Sequence, residues 1–284
     1  MTPPARAAAQ TTGRRVALQA AIATSAAVVA CLPAWRDIAW AATHDPDSGY
    51  IALVPFVAGW LAYARRRRLR SADRRGSLTG PAIVAMGGAA YLLAAHAGIT
   101  PAWHAGAVLV LVGALWSVVG HSVILRMLPA VLALFFLIPV PAQVLLPVSE
   151  RLGSWTIGLS SVLLELFGFA IEGAEEYLAV SGNAGVRMIA AIGLIAYAFA
   201  YGTPLRQRVR IVLLLCTPLV AVLANVIRLV PYALLVDAWP AARGVVGILS
   251  GWLTLGLAMA MLWASLRFMR LVHVPALRYA LAYQ

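Results

Sequence analysis

The 284 residues are 62% hydrophobic and 11% charged, with a mean hydropathy of +0.87, where soluble domains hold about 45–50% apolar and about 25% charged residues. A soluble globular domain is thereby excluded. The 22 basic residues are all Arg and the acids number 10, a net charge of +12; the Arg are spread between apolar runs, which argues against nucleic acid and for membrane orientation.

A spanning helix needs about 20 mainly apolar residues. In chain order the runs are Val16–Trp35, Gly49–Ala64, Pro81–Ala95, His104–Gly120, Val123–Val140, Asn183–Tyr201, Ile211–Val236 and Val245–Leu266. The stretch Val148–Phe167 differs. Its Glu150, Ser154, Gly158, Ser161 and Glu165 draw one polar stripe along a helix, so it is expected to be amphipathic, on the surface or re-entrant. The spacing thus predicts an all-α polytopic bundle of about eight transmembrane helices plus one amphipathic or re-entrant helix. One membrane domain, 16–268, lies between cytoplasmic tails 1–15 and 269–284.

Short cytoplasmic loops hold the excess of Arg. Eight spans put Arg6, Arg14 and Arg15, the Arg65–Arg75 cluster, Arg126, the Arg206–Arg210 cluster, and Arg267, Arg270 and Arg278 on one side. Nearly all acids then fall outside, among them Asp37, Asp45, Glu150, Glu172, Glu175, Glu176 and Asp237. The expected location is the plasma membrane, multi-pass, with both termini cytoplasmic. The first apolar run has no small-residue cleavage site directly after it and reads as a retained helix. Cys31 and Cys216 sit in apolar stretches and form neither a disulfide framework nor a metal cluster, so no metal or cofactor is expected.

Once loop and outer-side Arg are set aside, Arg187 and Arg228 remain. An Arg at mid-membrane costs about 2.5–3.5 kcal/mol and usually faces a polar interior. Arg228 lies about 25 Å along the helix from Ile211, towards the outer leaflet, and Arg187 opens a helix that enters from outside, so both guanidinium groups reach one level. Asn225 shares a face with Arg228, and Pro231 deprives the Ile227 carbonyl of its helical partner. Snorkelling to headgroups is the competing account of both Arg.

Other chemistries fail on particular residues. Glu175–Glu176 resembles the start of the membrane prenyl protease motif, but Val180 stands where that motif needs Arg. Ser250–Gly251 resembles the rhomboid serine, but Leu249 replaces its glycine. No H-E-x-x-H occurs. His96, His104 and His121, scattered at helix ends, are expected to be structural or interfacial, and Gly88 with its small neighbours to admit a close helix contact.

These polar positions line up with a known family. The chain resembles the exosortases and archaeosortases from Ser48–Arg68 onwards: Phe135-Phe136-Leu137-Ile138-Pro139-Val140-Pro141 is similar to their F-x-I-P-x-P segment, and Ala224-Asn225-Val226-Ile227-Arg228 to their N-x-x-R helix. The amphipathic stretch, the Glu172–Gly173 turn and the Leu178–Val180 approach are also similar. The resemblance implies a membrane peptidase or transpeptidase that cuts a C-terminal sorting tail, of the Pro-Glu-Pro type in exosortases, from exported proteins and transfers the new end to an acceptor. Its A-C-S-G-L-R motif supplies a nucleophilic Cys and an Arg. Here the segment reads Gly182-Asn183-Ala184-Gly185-Val186-Arg187, with Asn183 at the Cys position, Gly247 at the expected His and Arg243 one turn earlier.

Arg beside a thiol favours thiolate; an amide cannot take over that chemistry. Ser181 is near but has no visible base. The resemblance therefore implies Arg187, Arg228, Arg243 and Asn183 as the inherited catalytic positions, with Asn225 and Ser181 in binding roles. Two readings stay open. One is a catalytically degenerate binding or sorting partner for exported proteins with a C-terminal sorting signal. The other is a peptidase or transferase with a non-cysteine nucleophile, or a protein handling a lipid-linked glycan or another acceptor. Transport is weaker, since no internal repeat supports it.

Overall fold

Proline placement sets where the helices begin. In the computed structural model, which describes residues 3–45, 48–66, 78–168, 189–203, 205–239, 245, 249, 253, 256–265 and 267, every element of the described residues is helical. Pro33, Pro55, Pro101, Pro129 and Pro218 each sit at the opening of a helix, where a missing N–H costs nothing and the fixed φ is already helical. Clustering of contacts divides the chain into two units, Met1–Val140 and Pro141–Gln284.

The first unit holds α1 (Pro3–Ala30), α2 (Leu32–His44), a 3-10 turn (Gly49–Leu53), α3 (Val54–Arg65), α4 (Thr79–Ala97), α5 (Thr100–Val119), α6 (His121–Arg126), α7 (Leu128–Ala133) and a second 3-10 turn (Leu134–Leu137). The expected run Val16–Trp35 is therefore not one helix. It breaks at Cys31, and α2 turns away from α1 by 84°, because Pro33 ends one hydrogen-bond ladder and opens the next. The run Val123–Val140 is likewise divided into α6, α7 and a 3-10 turn.

The α4 and α5 helices form a tight antiparallel hairpin. Gly98 closes α4 at φ +68, a left-handed cap in which the Ile99 N–H donates to the Ala94 carbonyl at 3.0 Å. The close approach runs through Gly80, Gly87, Gly106 and Gly113. A Cβ on Gly106 would lie 2.6 Å from the Tyr91 backbone nitrogen, and one on Gly87 2.8 Å from that of Val110. Of Gly88 and its small neighbours, expected to admit a close contact, Gly87 makes it, while Gly88 has nothing within 4 Å of its Cβ position.

Against this hairpin the end of α1 and the start of α2 pack Ala27, Cys31 and Ala34 onto Ala107, Val110 and Leu111. A polar link fixes the same corner: His104 Nε2 lies 2.8 Å from Asp37 Oδ2, with the imidazole buried and Trp103 stacked on it at 5.3 Å. His104 thus ties α5 to α2. Because loss of the carboxylate leaves a buried ring nitrogen unsatisfied, Asp37→Ala is expected to cost about 1–3 kcal/mol and Asp37→Asn less, read as thermal midpoints in nanodiscs. Two segments of the family resemblance also meet here, the Tyr50 hydroxyl donating to the Ile138 carbonyl at 3.3 Å.

The second unit holds α8 (Ala142–Leu166), α9 (Ile189–Gly202), α10 (Gln207–Leu215), α11 (Thr217–Ala238) and α12 (Gly256–Ser265). Its main core joins Ile192, Ala196 and Ala200 of α9, Val209 and Leu213 of α10, Val220, Ala221 and Ala224 of α11, and Ala258 and Leu262 of α12. Arg210 Nε donates to the Ala200 carbonyl at 3.0 Å, so one Arg of the loop cluster ties α10 to α9.

Thr79–Ala97, Thr100–Val119 and Thr217–Leu235 are long and apolar enough to cross a membrane, and the bent α1–α2 pair brings the number among the described residues to four. An all-α membrane bundle fits these helices. The segments Leu128–Leu137, Ile189–Gly202 and Gly256–Ser265 are apolar but shorter.

Candidate functional site

The α11 helix carries the N-x-x-R residues between two packed faces. Ala221 and Ala224 lie in the core shared with α9, α10 and α12, while Val222, Val226, Leu229 and Val230 pack with Leu152 and Leu164 of α8. At 100° per residue, Asn225 falls at the seam between these faces and Arg228 on the face that carries Ala221 and Ala224. Both are buried, at 2% and 6% exposure. The helix continues through Pro231 to Ala238, so the Ile227 carbonyl has no backbone N–H one turn on.

Neither polar atom of the Asn225 carboxamide has a hydrogen-bond partner among the described residues. A buried polar group left unsatisfied costs about 1–3 kcal/mol, and a guanidinium at depth in a membrane adds to that. Packing alone does not favour such a pair. A helix serving only as a core element would carry Leu or Val at both positions.

The structure therefore brings two of the expected site residues together, Asn225 and Arg228. Ser181, Asn183, Arg187 and Arg243 lie outside the described residues, as do the Glu175–Glu176 and Ser250–Gly251 segments. Ile189 lies two residues beyond Arg187 and packs against both clusters that flank α11. Cys216 marks the break between α10 and α11, twelve residues before Arg228. Among the described residues no group of three or more His, Cys, Asp or Glu is placed to hold a metal ion.

The amphipathic helix contributes something its polar stripe did not reveal. Glu150, Ser154, Gly158 and Glu165 are exposed as the stripe predicts. On the opposite face Gly153, Thr156 and Ser160 are buried, at steps of three and four residues, between Leu152 and Leu164. This second row of small and polar residues was readable in the sequence by the same periodicity.

An all-helical membrane protein with a buried Asn–Arg couple on an apolar helix is the class that fold and site define. A family model described as transmembrane exosortase matches residues 35–264, and the chain belongs to that family. No curated protein and no solved structure matches it.

Proposed function

We propose that the chain is an exosortase-type sorting protein that holds the C-terminal tail of exported proteins in an outer-leaflet pocket, without thiol catalysis. The observation that carries this reading is the buried Asn225–Arg228 couple, whose carboxamide has no partner among the described residues. Arg228 and Arg187 would grip a tail carboxylate by charge-assisted hydrogen bonds, with Asn183 in the place of the family's Cys and Arg243 and Ser181 at the rim. Ile189, two residues beyond Arg187, packs against both clusters that flank α11, which supports bringing Arg187 near that helix.

In this reading the family domain spans the plasma membrane eight times between cytoplasmic tails, with the pocket facing outward. The Arg clusters support it. So does the Asp37–His104 bond, which joins two residues that this topology puts on the outer side.

Deletion of the chain is expected to leave cleavage of exported tail-bearing proteins unchanged and to alter their retention, both measured by mass spectrometry of envelope fractions. Cleavage that stops on deletion, and stops equally with Ser181→Ala, would show an enzyme with a hydroxyl nucleophile. A sharper prediction concerns the pocket itself. In the Asn183→Cys variant a thiol-directed tail peptide is expected to label the protein, with wild type unlabelled and labelling about tenfold lower when Arg228→Leu is added. Labelling indifferent to Arg228 would sink the shared pocket.

A further inference from the structure

We infer that the start of α10 is a seat for an anionic phospholipid, with the phosphate held by Arg206 and Arg208 and an acyl chain lying along Val212 and Leu215. No part of this rests on the tail-holding reading. The corner between α9 and α10 is closed by its own bonds. Leu205 is buried and its N–H donates to the Thr203 carbonyl at 2.9 Å, while Thr203 Oγ1 donates to the Phe199 carbonyl at 2.6 Å. Arg210 belongs to that closure: besides its bond to the Ala200 carbonyl, its guanidinium lies 5.3 Å from the centre of the Tyr201 ring. Arg206 and Arg208 do not. Both are exposed, and neither side chain has a partner among the described residues.

The sequence supplies these two cations with no nearby counter-charge. No carboxylate occurs between Glu176 and Asp237, and the first turn of α10 carries none. An anion from outside the chain would meet two guanidinium groups that need not break an existing ion pair to bind it.

The order of groups along α10 then selects the partner. Val209 and Leu213 turn into the core. At 100° per residue, Arg208, Val212 and Leu215 follow one another along one side of the helix, and Val212 is 45% exposed and Leu215 74%. That side is charged at its start and apolar for about 10 Å beyond. A phospholipid presents the same order, phosphate first and hydrocarbon after. A free phosphate or an acidic peptide would match the Arg pair and leave the apolar stripe uncovered. A zwitterionic headgroup brings its own cation, so two uncompensated Arg favour a lipid of net negative charge.

The test titrates the full chain in detergent micelles with phosphatidylglycerol carrying a fluorescent group on its acyl chain, and with phosphatidylcholine labelled in the same way. Wild type is expected to prefer phosphatidylglycerol about twentyfold, and Arg206→Gln and Arg208→Gln should each lower that affinity about fivefold, the worth of one basic residue beside an anionic headgroup. Binding of phosphatidylcholine should not change in either. Arg208→Lys, which keeps the charge, should lose less than Arg208→Gln. Leu215→Ser should weaken both lipids. Arg15→Gln removes an exposed charge from α1 and should change neither. Equal affinity of wild type for the two lipids, an effect of Arg15→Gln as large as that of Arg208→Gln, or Leu215→Ser binding as wild type does would overturn the inference. So would displacement of the lipid by an equal concentration of inorganic phosphate, which would leave only a bare anion site.

Discussion

Replacing Arg228 by Leu is expected to weaken binding of a tail peptide at least a hundredfold, with the protein still folded and monodisperse in detergent. The size follows from what the side chain does. It is the charged member of a buried polar couple, and truncating one partner of a desolvated, hydrogen-bonded charge pair costs about 2–5 kcal/mol. Leu continues the apolar stripe that Ala221 and Ala224 of the same helix present to the core, so packing tolerates it. Arg228→Lys should recover only part of the loss, because an ammonium is a point charge without the planar fork that meets a carboxylate with two parallel bonds. Equal affinities for Lys and Arg at this position would mean that the pocket reads charge alone. Affinity unaffected by Leu would remove Arg228 from the site.

The burial of Arg228 was legible in the sequence because its cost is so large. A guanidinium inside an apolar run has few physical excuses, and the adjacent Asn225 on the same face narrowed them further. The second row on α8 was harder to see. Scanned for polarity, α8 gives its exposed stripe first, since Glu150 and Glu165 dominate the pattern. The buried row of Gly153, Thr156 and Ser160 carries no charge.

The helical class was equally plain, whereas the spans were not. Hydropathy merges neighbouring helices when no charge separates them, so the segment up to Trp35 reads as a continuous run, as does the one between Val123 and Val140. The breaks lie at Cys31 and Met127, two residues before Pro33 and Pro129, whose missing N–H outweighs unbroken hydrophobicity. The same signal, from Pro218, divides Gln207–Leu215 from Thr217–Ala238 at Cys216. Proline inside the window was the informative residue, and a 20-residue average conceals it. Pro147 and Pro231 show the limit of that signal, since α8 and α11 continue through them.

Gly106→Val and Gly87→Val are expected to destabilise the first unit by about 3 kcal/mol or more, at or beyond the upper end of ordinary overpacking, while Gly88→Val changes stability little. The contrast between Gly87 and Gly88 comes from adjacent residues of one helix with the same chemistry. A side chain at Gly87 would meet Leu109 Cβ and the Val110 nitrogen at 2.8 Å; one at Gly88 would meet nothing within 4 Å. Most of the obstacles at Gly87 and Gly106 are backbone atoms, which no rotamer change can move, so α4 and α5 must separate along their length. Within a membrane this loss is not repaid by hydrophobic burial, because lipid tails are as apolar as the side chains and helix association rests on close packing. The separation would also pull on α1 and α2, whose Ala27, Cys31 and Ala34 pack on the α5 face, so the Asp37–His104 bond should weaken with it. Unfolding in mixed micelles, followed by the fluorescence of Trp103, reads both effects. Equal midpoints for the Gly87 and Gly88 variants would contradict the register of this hairpin.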